Sequence, residues 1–485
     1  MKSPPASGNP LDVLRERTAR PDATAADWLA FGRAMLATAS PDDLRPALDA
    51  LIAAYRLDPS LDSPHLLSAI AQTAFNLRAW PLVDDASSRL LADEPRDANA
   101  LMWRAAALDA RGASDAAERV LREAIAIVPD NPVLLHKLAL CVKEQARFGE
   151  AKALLGGVLA LGEANPYARF DLAELALREG DYARGWPHYE ARLDLPANAS
   201  PARAALAAVS ADWRGESLTG KTLLVLGEQG HGDCLWAVRF LPGLAGRAAA
   251  EGGRLIVGYD GPLRGLIERA LPDGVTLETG LVTPPDFHCG LMSVPMRLGV
   301  DGPGGWGRAY LRADPAAVAG WRDWIEAHAK GRRKVGLVWN GNPNHLRDAR
   351  RSIPPGEFGA LLTVPGIAYF ALSPGRGAVV DAWRAQGIAI DDPTPQFAAD
   401  FDDVAALAQQ LDLVVTIDSG PAHLAGALGV PTCLMIDRVS AWFWCAGEGR
   451  APWYDSIELY RQPRVGEWAP VIAKVRARLE SLAAS

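Results

Sequence analysis

Along the first 200 positions, apolar residues recur with the three- and four-residue spacing of amphipathic helices, and the helices themselves repeat. Ala117, Ala151 and Gly185 stand 34 residues apart, as do Ala105, Ala139 and Ala173, and Leu121, Leu155 and Tyr189. Small residues at two fixed positions let paired helices approach closely, while the larger ones fill the seam between them. Pro95 and Pro129 share the interval, and each closes a helical stretch because proline cannot donate the next backbone hydrogen bond. The period is clear over 98–192; upstream, 28–57 and 66–91 read as further helices with looser spacing, as degenerate or capping units. The last unit keeps its register through 178–195 and adds Trp186, Tyr189 and Glu190, a cluster expected to dock the array on its neighbour. An Ala- and Pro-rich segment, 196–208, follows as a linker or small cover.

From residue 221 the pattern changes to short continuous apolar runs, as expected of strands buried on both faces of a parallel sheet. Such runs occupy 222–227, 254–259 and 275–280, with helical stretches at 234–249 and 262–270 between them. The alternation fades near 301–310, passes through a helix at 315–328, and restarts at 334–339, 368–373, 411–418 and 431–437. A last strand at 457–462 and a helix over 468–482 complete it. Two successive runs of strand and helix predict two α/β lobes with a cleft, and ligands in such sheets bind beyond the carboxyl ends of the strands. The expected organisation is a helical domain over 1–195, a linker over 196–220, a first lobe over 221–330 and a second over 331–485. Removal of 1–195 is expected to leave a folded pair of lobes.

Bulk properties narrow the class of function. The net charge is −8, the pI is 5.6 and no Lys/Arg cluster stands out, which argues against nucleic acid as a partner. Five cysteines (Cys141, Cys234, Cys289, Cys433 and Cys445) are scattered without Cys-x-x-Cys spacing. Neither a disulfide framework nor a zinc site is expected, and reduced thiols fit a cytoplasmic protein. The N-terminus lacks the apolar run of a signal peptide, and no stretch is long enough to span a bilayer.

Three segments at strand ends carry candidate chemistry. The first, 227–233, is a glycine-rich turn into a helix, in which Gly230 and Gly232 let the backbone approach a ligand closely. It is neither a P-loop nor a dinucleotide fingerprint. Its Asp233 either caps the helix or faces the cleft as a general base. The second, 339–354, gathers Asn340, Asn342, Asn344, His345, Arg347, Arg350 and Arg351 after an apolar strand. It is either a solvated loop or a set of donors for a diphosphate, whose oxygens arginine meets with a fixed fork. In the third, 416–431, a buried strand ends in Asp418, then Ser419 and Gly420 turn into a helix whose first turn holds His423. Ser419 and the unpaired amides of that turn suit an anion, and His423 is the side chain expected to face the cleft.

The helical period resembles the tetratricopeptide repeat, and the three segments resemble the metal-independent GT-B glycosyltransferases of the heptosyltransferase-like group. The likeness rests on Gly-x-Gly-Asp at 230–233, on Asp418, Ser419, Gly420, His423 and Ala427, on Trp339, Gly341, Asn342, Pro343, His345, Arg351, Ser352 and Ile353, and on the junction residues Gly185, Trp186, Tyr189, Glu190 and Arg192. It implies an α-helical tetratricopeptide solenoid followed by a GT-B fold of two Rossmann-like lobes. The implied activity is inverting glycosyl transfer without a metal or other cofactor, from a nucleotide-sugar donor. Asp233 would deprotonate the acceptor. Gly230, Gly232, Asn340, Asn342, His345, Arg347, Arg351, Asp418, Ser419, Gly420 and His423 would bind the donor's phosphate and nucleotide, with Arg347 or Arg351 in place of the lysine of heptosyltransferases. The layout is also similar to that of O-linked N-acetylglucosamine transferase and of flagellin glycosyltransferases. This implies a protein acceptor such as flagellin held by the repeats, and a nonulosonic acid such as pseudaminic acid from a CMP donor. No residue distinguishes CMP from UDP, GDP or ADP. A heptosyltransferase-like enzyme acting on an envelope glycan and a non-catalytic repeat scaffold are the alternatives.

Overall fold

A computed structural model describes residues 9–162, 165–198, 201–280, 284–345, 347–444, 447 and 449–485. The chain forms two compact units, Met1–Ala168 and Arg169–Ser485.

The first unit is built of antiparallel helix pairs: Ala25–Ala37 with Leu44–Leu57, Ser63–Asn76 with Trp80–Asp93, Ala98–Ala110 with Ser114–Ile127, and Pro132–Glu144 with Phe148–Leu161. The small residues of the repeat do what their size predicts: Ala105, Ala117, Ala139 and Ala151 are fully buried. The period also runs through the helix caps. Asp97 Oδ1 accepts from the Asn99 and Ala100 amides (2.8 and 3.0 Å), Asn131 Oδ1 from Val133 and Leu134 (2.9 and 3.2 Å), and Asn165 Oδ1 from Ala168 (3.1 Å). Each cap satisfies orphan donors of a first turn, at 34-residue intervals.

The second unit holds two parallel sheets. The first comprises β1 (Ala211–Asp212), β2 (Thr222–Leu226), β3 (Arg254–Gly258), β4 (Thr276–Glu278) and β5 (Phe287–Gly290), in the order β1-β5-β2-β3-β4. The second comprises β6 (Arg333–Leu337), β7 (Ile367–Ala371), β8 (Ile390–Asp391), β9 (Leu413–Ile417), β10 (Thr432–Ile436), β11 (Gly449–Arg450) and β12 (Ile457–Arg461), in the order β11-β12-β10-β9-β6-β7-β8. Among the described residues, only β11, at an edge, runs antiparallel. The fold class is therefore a helical-repeat region joined to α/β lobes with parallel sheets, as the hydrophobic patterning predicts. Strand β5 was not anticipated: it is four residues long, and buried His288 interrupts its apolar run.

The helix Tyr182–Tyr189, read as the close of the repeat array, clusters with the lobes. Its Trp186 packs against Trp236 of the first lobe and Trp442 of the second, with ring centroids 6.3 and 5.6 Å apart, and its indole donates to the Val300 carbonyl at 2.7 Å. Arg178 donates to the carbonyls of Ser440 and Arg438 at 2.6 and 3.1 Å. One continuous apolar core thus includes Tyr182, Trp186 and Tyr189 together with residues of both sheets. Ala199 and Ser200 of the expected linker lie outside the described residues.

Cys141, Cys234, Cys289 and Cys433 are buried thiols, and Cys445 lies outside the described residues. Among the described residues, no helix is long and apolar enough to cross a membrane.

Candidate active site between two helix N-termini

Strand β2 ends at Leu226, and the turn that follows carries Gln229 in the left-handed region (φ +62°) before the helix His231–Ala237 begins. Strand β9 ends at Ile417, and Ser419 leads into the helix Gly420–Leu428. These two helices start against one another. A Cβ on Gly232 would stand 2.8 Å from His423 Cδ2, so only glycine permits the approach. The nearest neighbour that a Cβ on Gly420 would meet is the Gly232 amide, at 4.0 Å. The first and third segments, some 190 residues apart in sequence, therefore form one site at the carboxyl ends of two central strands. Two helix N-termini with amides not bonded within their helices make that site favourable to an anion.

Asp233 sits in the first turn of its helix. Its Oδ2 accepts the Gly230 amide at 3.0 Å, so the capping reading holds. It also stands within electrostatic reach of Glu228 and Asp418, so the same carboxylate belongs to the site. Desolvation raises its carboxyl to about 7, the two neighbouring carboxylates add to the rise, and the Gly230 and Asp233 amides oppose it. A carboxylate poised near neutrality suits proton abstraction.

His423 is buried, with Nδ1 2.9 Å from the Tyr454 hydroxyl and the ring packed by Trp444 and Phe443 (centroids 4.7 and 5.0 Å away). Burial lowers it to about 4; Asp418 pulls upward, and Arg239 downward. It is neutral at pH 7. Arg239, itself buried, donates to the carbonyls of Trp236, Trp306 and Trp453 at 2.8, 3.0 and 2.5 Å and to the Tyr310 hydroxyl at 3.0 Å, and it lies over the Tyr454 ring at 4.4 Å. Neither Arg239 nor Tyr454 stood out in the sequence: one sits among apolar residues in the 3-10 turn Val238–Phe240 and the other in a loop 31 residues downstream of His423.

The second segment meets the third through Arg351, whose Nη1 donates to the Asp418 carbonyl at 3.0 Å and whose Nε donates to Asp348 at 3.3 Å. Ser419 donates its hydroxyl to the Ile417 carbonyl at 3.3 Å, and Asp418 Oδ2 accepts the Ala441 amide at 3.3 Å. Arg347 pairs with buried Asp437 at 2.9 Å. Asn340 donates to the Gly341 carbonyl at 3.1 Å, and among the described residues its buried Oδ1 has no partner. Asn342 and His345 are exposed; each accepts an amide two residues on, from Asn344 at 3.0 Å and Arg347 at 3.2 Å. Arg351 therefore braces the loop onto the strand end. Just past β7, beside β6, buried Ser373 presents a hydroxyl with no partner among the described residues, a further polar group at this sheet edge.

With this geometry in hand, similarities to known proteins bear on its chemistry. The model of glycosyltransferase family 9 (heptosyltransferase) matches residues 398–435, the stretch containing β9, Asp418, Ser419, Gly420 and His423. Protein FlbA of Caulobacter vibrioides is 27% identical over 431 residues, which cover 80% of this chain and 68% of FlbA. Among solved structures, the glycosyl transferase family 9 from Veillonella parvula is 13% identical with a TM-score of 0.43, over 56% of this chain and 99% of that one. The thermophilic TPR protein TTC0263 of Thermus thermophilus is 23% identical with a TM-score of 0.31, over 38% of this chain and 98% of that one. The family match falls on the third segment of the candidate site, the one with Asp418 and His423, and supports a glycosyltransferase, alongside helical repeats that the structure itself displays.

Proposed function

We propose that the protein is an inverting protein O-glycosyltransferase that needs no metal, moving a sugar from a nucleotide-sugar to a Ser or Thr hydroxyl of a protein held by the repeats. The observation that carries this reading is the pairing of a carboxylate raised to about 7, Asp233, with the start of the Gly420–Leu428 helix. The acceptor oxygen attacks the anomeric carbon from the face opposite the donor phosphate. Its proton passes to Asp233, the new carbon–oxygen bond forms, and the bond to the phosphate oxygen breaks with its electron pair. Charge developing on the phosphate meets the helix N-terminus, Ser419 and the donors of the 340–351 loop. Neutral His423 contributes a hydrogen bond rather than a charge. Flagellin is the acceptor proposed, and a nonulosonic acid such as pseudaminic acid from a CMP donor the sugar; the reaction and the protein are proposed to be cytoplasmic.

Intact-mass spectrometry of flagellin from cells carrying the wild-type gene, a deletion, and Asp233→Ala tests this. A ladder of mass increments present only with the wild-type gene is the expected result, and the increment identifies the sugar. A second reading, transfer to an envelope glycan, draws on the heptosyltransferase description of the matching family. Unchanged flagellin with a lost envelope-glycan increment would move the assignment there.

A further inference from the structure

The junction residues Tyr189, Glu190 and Arg192 take no part in the transfer chemistry, yet the structure ties them to the loop that carries Asp233. Arg192 has no exposed surface. Its guanidinium donates to both oxygens of Glu228 (2.6 and 3.2 Å), to Glu190 at 2.8 Å, to Ser293 Oγ at 2.7 Å and to the Tyr189 carbonyl at 3.3 Å. Glu228 also accepts the Met292 amide at 3.0 Å. At the end of β5, Gly290 leaves the space that Glu228 fills, since a Cβ there would collide with the carboxylate. Glu190 accepts in turn from Ser293 and Arg297, at 2.8 and 2.7 Å. Two guanidinium groups thus balance two carboxylates in a buried network.

The next residue is held as well. Tyr189 donates its hydroxyl to Gln229 Oε1 at 2.9 Å, and Gln229 keeps a φ of +62°, which a non-glycine residue adopts at a cost and only when its surroundings enforce it. Gly230 follows, and Asp233 lies one turn further on. We infer that Tyr189 and Arg192 are positioning residues: by fixing Gln229 and Glu228 they set the turn that aims the Asp233 carboxylate at the Gly420–Leu428 helix. The end of the helical region is then part of the active site. The inference rests on reading Asp233 as the base, whereas the hold on its loop is measurable without any substrate.

Full-length wild type, Tyr189→Phe, Arg192→Met, Arg192→Lys and Asp233→Asn would be compared by hydrogen exchange of peptides spanning 227–236. A second readout is carbodiimide-driven amidation at Asp233, which requires the protonated carboxyl and is followed against pH by peptide mass. Tyr189→Phe removes one hydroxyl and leaves the core filled. It is expected to speed exchange of 227–236 by about tenfold through local opening while peptides of β2 and β9 stay as in wild type. Arg192→Met leaves the Glu228 charge unbalanced beside Asp233, so the amidation midpoint moves to higher pH, and Arg192→Lys brings it back toward wild type. Wild-type exchange in Tyr189→Phe, an unmoved midpoint in Arg192→Met, or acceleration spread evenly over both sheets would each overturn the inference. The reading of Asp233 as base fails separately, if cells with Asp233→Asn keep the wild-type flagellin mass ladder.

Discussion

Asp233 holds two positions that the sequence presented as alternatives. One oxygen caps the Gly230 amide, and the carboxylate as a whole stands among Glu228, Asp418 and an opposing helix N-terminus. Its carboxyl is raised from 3.8 to about 7, so the folded chain holds this proton more tightly than the unfolded chain. The stability this contributes is full below pH 3.8 and is lost as pH rises through about 7. Asp233→Asn keeps an oxygen for the cap and never ionises. Its melting temperature is expected to match wild type near pH 4 and to exceed it by a margin that widens up to pH 7 and then levels. A margin that stays constant from pH 4 to pH 8 would mean that Asp233 ionises freely. What made Asp233 legible was local, a carboxylate after a glycine turn at a strand end. What made it a base candidate was desolvation in the packed chain, to which the charges of Glu228 and Asp418 add, and Asp418 comes from the other lobe.

At the scale of elements, the chemistry depends on two helices meeting end to end. Gly232 is the contact point, and the His423 ring it faces is wedged by Trp444, Phe443 and the bond to Tyr454. Gly232→Ala is expected to lower unfolding free energy by about 1–3 kcal/mol, the usual range for overpacking, in denaturant titration. No loss would show that the ring gives way. The strands bearing the site (β2, β6 and β9) are those whose apolar runs were plain in the sequence, because strands buried on both faces need continuous apolar residues. Strand β5 was hidden because His288 and the short length broke that signal, although it sits between β1 and β2 and its Gly290 makes room for Glu228. The 34-residue period was legible in the alanines and equally present in the caps Asp97, Asn131 and Asn165, whose spacing needed only to be sought.

For the whole molecule, the compact units divide at Ala168, and this changes how the helical region is to be removed. A chain beginning at Asn165 keeps the cap of its first helix and all of Trp186, Tyr189 and Arg192. It is expected to fold with a cooperative thermal transition. A chain beginning at 196 loses those residues, bares Trp236 and Trp442, and leaves Glu228 without Arg192 and Arg297 without Glu190, a loss of about 3–5 kcal/mol for the broken ionic network alone. It is expected to aggregate or to melt without a cooperative transition; circular dichroism and calorimetry of the two chains distinguish the outcomes. Equal folding of both would return the boundary to 195.

The sequence by itself determined the helical repeat, the parallel strands and the polar segments at strand ends. Each of these is a periodic or short-range pattern, imposed by the geometry of one helix or one strand. Only the tertiary structure decided which of those segments meet: Gly232 against His423, Tyr454 behind His423, and Arg192 on Glu228. Those contacts join residues tens to hundreds of positions apart. They exist because helices and sheets must bury their apolar faces against one another, a condition that the packed chain satisfies as a whole and that no window of sequence contains.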